Sequence, residues 1–223
     1  MDKIALDKLS AGSEDDFVRG LGDIFEHTPG IARAVYVKRP FASLGALYDA
    51  METVVRGQSR DDQARLLQAH PDLAGKAARA ATLTADSKAE QSSAGLDQLS
   101  EEQYARFHKL NDEYRKKFDI PFIVCVRRHS RDSILREFER RLGNDPAVEE
   151  KAAINEVMRI AALRLDQRVS ATDKLKVHGR LSTHVLDVHS GRPAQGIAIE
   201  LVTVPKSGPQ VFLAKPLRTF SAR

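Results

Sequence analysis

The 223-residue chain has no tryptophan, a single cysteine and few aromatic residues. One thiol, Cys125, cannot close an intramolecular disulfide, and it cannot build a zinc or iron–sulfur site that needs several cysteines, so no metal site is expected. Its place in the apolar run F-I-V-C-V marks a buried, inert thiol, and a reducing compartment, the cytoplasm, is the expected location. No apolar run approaches the roughly 18 residues that a membrane span requires. Asp and Glu interrupt residues 1–20 where a signal peptide would carry its apolar core. A basic face with interleaved aromatics is also missing. From Lys174 onward eight basic residues stand against two acidic ones, and the preceding residues are slightly acidic, so the net charge of +4 comes from the tail. Neither nucleic acid nor a membrane is therefore an expected partner.

What is present is a helical pattern over most of the length. The chain is 42% hydrophobic, enough for one ordinary domain and something more. Ser13 followed by three acids predicts a helix start, with Phe17, Leu21, Ile24 and Phe25 as its apolar stripe. Thr28-Pro29 stops that helix and opens another, with Ile31, Ala34 and Val35 inward, and Arg39-Pro40 breaks it. Helical spacing resumes through Leu44, Leu47, Tyr48 and Met51 to Gly57, and again from Ser59 through Leu66 and Leu67. Ser100 to Gln103 reads as a capping box that opens the longest amphipathic helix, with Tyr104, Phe107, Leu110, Tyr114 and Phe118 on one side. The continuous run Ile120 to Val126 breaks the period and reads as a short buried extended piece. Ser130 and Pro146 open two final helices, ended by Gly143 and near Val169. The fold class is thus all-α, a multi-helix bundle over residues 1–170.

Residues 171–174 read as a polar linker, and from Leu175 the apolar period shortens to two. The segment 175–223 predicts a hairpin or two strands with Gly191-Arg192-Pro193 as the turn, too small a sheet to stand alone.

One stretch is polar where a bundle should be apolar. His70 precedes Pro71, whose ring disfavours helix for its neighbour, so His70 belongs at a helix end or bend. Further on, Ser87, Glu90 and Gln91 fall on a helix that Thr84 or Asp86 can cap, and the three-residue step from Ser87 to Glu90 puts both on one face. A hydroxyl, a carboxylate, an amide and an imidazole are the parts of an acid–base site. Single histidines and Ser-x-x-Glu steps are more often structural, and a helical binding or assembly protein remains the competing reading.

The motifs R-P-F-A-S-L-G-A-L, A-H-P-D-L-A-G-K, L-T-A-D-S-K-A-E-Q-S-S-A-G-L, F-D-I-P-F-I-V-C-V-R and F-E-R-R-L-G-N, in this order, make residues 13–169 resemble the 2-oxo-4-hydroxy-4-carboxy-5-ureidoimidazoline (OHCU) decarboxylases of uric acid breakdown. The resemblance implies a carbon–carbon lyase that forms (S)-allantoin without a cofactor, acts on a small anionic ureidoimidazoline, and works as a homodimer. It places catalysis on His70 and Glu90. Substrate binding falls on Ser87, Gln91, Pro71, the run Phe122, Ile123 and Val124, and an arginine of the last helix, Arg164 in preference to Arg159. The tail motif L-S-T-H-V-L-D-V-H-S-G-R-P-A resembles the opening of transthyretin-like 5-hydroxyisourate hydrolases, without the later N-A-D-G-R and Y-R-G-S segments. It implies that His184 is a hydrolase remnant, with retained hydrolysis in a bifunctional chain as the alternative.

Overall fold

In the computed structural model the chain is described for residues 3–75 and 83–175 and, beyond them, for Ser190 and a set of short strands between residues 186 and 218. It divides into two compact units, Met1–His178 and Gly179–Arg223.

The first unit is helical. Strand β1 (Ile4–Ala5) leads into α1 (Leu6–Ala11), α2 (Glu14–Leu21), α3 (Pro29–Tyr36), α4 (Leu44–Arg56), α5 (Arg60–Gln68), α6 (Ala85–Ser93), α7 (Glu101–Phe118), α8 (Arg131–Leu142), α9 (Pro146–Arg168) and β2 (Val169–Ser170). Six of the helix starts follow one rule. Ser13, Ser43, Ser59, Thr84, Ser100 and Ser130 each sit at an N-cap and accept, through the side-chain oxygen, the backbone N–H three residues on. This satisfies a donor that the first helical turn leaves free. The stops are Gly57 and Gly143 for α4 and α8, and for α7 Asp119, which takes a left-handed conformation at φ 56°.

Three readings of the sequence are corrected. Helix α2 ends at Leu21, so Ile24 and Phe25 are buried from the following turn and do not extend its stripe. Ala34 is exposed and Ala32 takes the inward place beside Ile31 and Val35. The longest helix is α9, with 23 residues, against 18 for α7. Its amphipathic signal is weak because Ala161, Ala162, Leu163, Arg164 and Leu165 are buried in succession, as expected of a helix surrounded by the others. It packs against α4, α5 and α7.

Parallel pairing of Ile4 with Val169 and Ala5 with Ser170 ties the start of the unit to the end of α9. Asp173, read as linker, accepts the Leu44 and Gly45 backbone N–H groups at 2.8 and 3.0 Å and so supplements the cap of α4. The apolar run after α7 is buried and forms no strand. Phe122 stacks on Phe138 with ring centroids 3.8 Å apart, and Tyr114 meets both edge-on. Rings buried at this level contribute about 1.5–3 kcal/mol each. Among the described residues no helix is long and apolar enough to cross a membrane.

In the second unit, β3 (Leu186–Asp187) pairs antiparallel with β4 (Arg192–Pro193), β5 (Ala198–Ile199) with β8 (Leu217–Arg218), and β6 (Val202–Thr203) with β7 (Val211–Phe212). Arg192 and Pro193 therefore belong to a strand and not to the turn assigned from sequence, a position open to proline where its missing N–H faces no partner. His184 lies outside the described residues.

Candidate active site

The end of α5 builds the first wall. Helix α5 ends at Gln68 with Ala69 as its C-cap, and the ring of His70 folds back so that Nδ1 lies 2.9 Å from the Leu66 carbonyl oxygen. A carbonyl only accepts, so Nδ1 carries the proton and Nε2 is the bare nitrogen. Burial disfavours the imidazolium and brings the pKa down to about 4, against the opposing pull of the Leu66 carbonyl and the Glu26 carboxylate. His70 is therefore neutral at pH 7, with a lone pair to offer.

The turn after His70 is held from below. Gln91 Oε1 accepts the Ala74 N–H at 2.9 Å, and Asn111 Nδ2 donates to the Leu73 carbonyl at 2.9 Å. Arg115 Nε donates to both carboxylate oxygens of Asp72, at 2.9 and 3.1 Å. These contacts keep Ala74 at φ 51°, a left-handed conformation that a non-glycine residue holds only under constraint.

Helix α6 forms the second wall with Ser87, Glu90 and Gln91, and α9 the third with Ile160 and Arg164. The extended run supplies the fourth. It is pinned by Arg141 Nη1, which donates to the Ile123 carbonyl at 2.7 Å, and by Glu156 Oε2, which accepts the Cys125 N–H at 2.8 Å. Arg141 is itself buried against Glu149, with Nε donating to Oε1 at 2.8 Å, and the Tyr114 hydroxyl donates to the same oxygen. Burial, with Glu156 and Glu90 adding negative charge nearby, pushes the Cys125 thiol up to about 12, so it is no nucleophile.

These walls close on a small, partly open cleft of about 30 Å³. Of the residues singled out from the helical sequence, His70, Pro71, Ser87, Glu90, Gln91, Phe122, Ile123, Val124 and Arg164 line it. Arg159 does not. It pairs with Glu156 and its side chain is 53% exposed. Leu73, Val126 and Ile160 complete the lining and carried no chemical signal in the sequence.

Glu26 was missed altogether. Its carboxylate is buried behind the pocket wall, where it accepts from Thr84 Oγ1 at 2.6 Å, Ser87 Oγ at 3.0 Å and Arg164 Nη1 at 3.0 Å. Burial alone would raise its pKa, but the Thr84 hydroxyl and the Arg164 charge outweigh that and keep it below the usual carboxylate value. Nothing near Glu26 in sequence marks it, because its partners are 58 to 138 residues away.

A family model described as OHCU decarboxylase matches residues 10–166, the stretch that supplies every wall of this pocket. The chain belongs to the OHCU decarboxylase family. It is 39% identical over 171 residues to the 2-oxo-4-hydroxy-4-carboxy-5-ureidoimidazoline decarboxylase of Haloferax volcanii, covering 77% of this chain and 99% of that one. To the mouse protein of the same name it is 37% identical over 171 residues, covering 77% and 94%. Among solved structures it is similar to (S)-allantoin synthase, with a TM-score of 0.62, 25% identity, and coverage of 95% of this chain and 70% of that one. The larger groove elsewhere on the unit, lined by Leu6, Asp7, Ser10, Phe41 and Thr172 among others, offers one carboxylate and neither an imidazole nor a guanidinium.

Proposed function

We propose that the chain decarboxylates OHCU to (S)-allantoin, with His70 and Glu90 as catalytic groups and Ser87, Gln91, Arg164, Pro71 and Phe122 to Val124 as the binding surface. The observation that carries this reading is the convergence of a neutral imidazole, a carboxylate and a guanidinium on one small pocket. The substrate bears its carboxylate beside a conjugated carbon–nitrogen double bond. When the bond to the carboxylate carbon breaks, carbon dioxide leaves and the electron pair flows into the ring nitrogen, so the substrate is its own electron sink and no cofactor is required. A proton must then reach ring carbon from one face to set the hand of allantoin.

His70 suits this order of events. With Nδ1–H committed to Leu66, Nε2 first takes a proton from the substrate and afterwards returns one. Gln91 spends its carbonyl oxygen on Ala74 and one amide N–H on the Asp72 carbonyl at 3.5 Å, which leaves its other N–H for a ring or ureido oxygen. The guanidinium of Arg164 matches a planar carboxylate or ureido group through paired donors. Family resemblance supports a homodimer as the working form, and the lone buried Cys125 supports a cytoplasmic location. The resemblance of residues 175–223 supports a transthyretin-like segment as a second domain.

The test is full-length protein mixed with freshly generated OHCU. Optically active allantoin is expected to form faster than the spontaneous racemic background, and a folded His70→Ala variant is expected to lose the excess. Equal rates for the two proteins would refute the assignment.

A further inference from the structure

Every N–H of Arg164 is already taken by the protein. Nε donates to Glu90 Oε1 at 2.8 Å and Nη2 to Glu90 Oε2 at 2.8 Å, a two-pronged carboxylate clasp. Nη2 also donates to Ser87 Oγ at 3.3 Å, and Nη1 to Glu26 Oε2 at 3.0 Å, with the Asp23 and Ile24 carbonyls at 3.4 Å. Two carboxylates against one guanidinium, beside a neutral imidazole, leave the cluster around Arg164 with an excess of negative charge. Such a cluster repels the anion that the pocket is read as binding, unless one carboxylate gives way.

The two are not equivalent. Glu26 has a side chain only 1% exposed, does not line the pocket, and is held by hydroxyls from both Thr84 and Ser87 as well as by Arg164. Glu90 lines the pocket, is 15% exposed, and has its side chain clasped by Arg164. Displacing Glu26 would strand two hydroxyl donors and a charge in the protein interior, whereas Glu90 already has an outlet into the cavity.

We propose that Glu26 is the permanent counter-ion of Arg164, and that Glu90 is a stand-in for the ligand's carboxylate, which takes over the Nε and Nη2 edge of the guanidinium on binding. This inference rests on the OHCU reading of the pocket. The geometry favours an exchange of like for like, since a carboxylate replaces a carboxylate on the same two donors. Glu90, released into the pocket that also holds His70, becomes an acceptor for the ligand's own N–H or O–H groups. Glu26 acts through Arg164 and Ser87 as a positioning residue. It fixes the unused edge of the guanidinium and takes the only Ser87 hydroxyl proton, so that Ser87 Oγ meets the ligand as an acceptor.

The experiment compares hydantoin-5-acetate with its uncharged twin, hydantoin-5-acetamide, by calorimetric titration of the full chain. Glu90→Gln removes the competing charge and is expected to bind the acetate at least fivefold more tightly than the native protein does, and to raise the ratio of acetate to acetamide affinity at least fivefold. Glu90→Ala serves the same purpose should the glutamine variant fail to fold. In a crystal of the native protein with the acetate, its carboxylate is expected on Nε and Nη2 of Arg164 with Glu90 turned away. Acetate affinity that is unchanged or weaker in both variants, no acetate binding by any of the proteins, or a bound acetate beside an intact Glu90–Arg164 clasp would overturn the proposal. Turnover of OHCU by the native protein is read separately. Turnover without the affinity gain removes the exchange and leaves the enzymatic reading, and absence of turnover removes that reading.

Discussion

The Nδ1–H of His70 points at the carbonyl of Leu66, one helical turn back, at 2.9 Å. This fixes which nitrogen is bare, and burial fixes the charge, since the imidazolium is disfavoured down to about pH 4. The acid limb of kcat/KM is therefore expected near pH 4 to 5, below the value of about 6.5 for an ordinary histidine. A rate profile from pH 4 to 8 decides this, and an inflection at pH 6.5 would contradict it.

Stability follows the same group. The folded pKa lies below the unfolded one, so burying neutral His70 contributes its full stability above pH 6.5, and that contribution is lost as pH falls from 6.5 through about 4. The loss by pH 4 is on the order of 3 kcal/mol. Urea midpoints of native protein and a His70→Gln variant should converge as pH is lowered over this window.

Arg141 and Glu149 are both fully buried, and Arg141 also holds the Ile123 carbonyl at the pocket wall. Arg141→Met leaves the Glu149 charge without its cation and is expected to cost about 3–5 kcal/mol. Adding Glu149→Gln should recover part of the stability without restoring KM, because the anchor on Ile123 stays lost. Denaturation and steady-state kinetics on the single and double variants test both halves.

Arg164 and Arg159 are five residues apart on one helix and have different fates. Arg164→Lys replaces a fork of donors by a single ammonium and is expected to lower kcat/KM by about 100-fold, the scale of a lost paired contact. Arg159→Ala removes a half-exposed guanidinium from the buried Glu156 carboxylate, which keeps the Cys125 N–H, and is expected to cost about 1 kcal/mol, with kcat/KM within about threefold of native.

Thr84 both caps α6 and donates to Glu26. Thr84→Val should lower stability by about 1–2 kcal/mol through the lost cap, and thermal melting measures it.

Much of this site was legible because its signals are local. Pro71 forces His70 to a helix end, and the helical step from Ser87 to Glu90 fixes a shared face. Caps at Ser13, Ser59, Ser100 and Ser130 lie within three residues of their partners. What escaped the sequence depends on contacts between distant segments. Glu26 is an ordinary acid beside Thr28-Pro29 until the fold delivers Thr84, Ser87 and Arg164 to it. The longest helix was misjudged for a related reason, since α9 is buried around most of its girth and shows little periodicity. In the tail, the Arg192-Pro193 pair read as a turn by local chemistry, whereas pairing with Leu186 and Asp187 makes it a strand.

The most direct measurement is circular dichroism of allantoin formed from OHCU generated in situ, followed in parallel with native protein, His70→Ala and Arg164→Lys. The account predicts a rapid, single-handed signal with native protein and a slow rise to a racemate, at the buffer rate, with His70→Ala. An equal single-handed burst from native protein and folded His70→Ala, or none from the native protein, would contradict it.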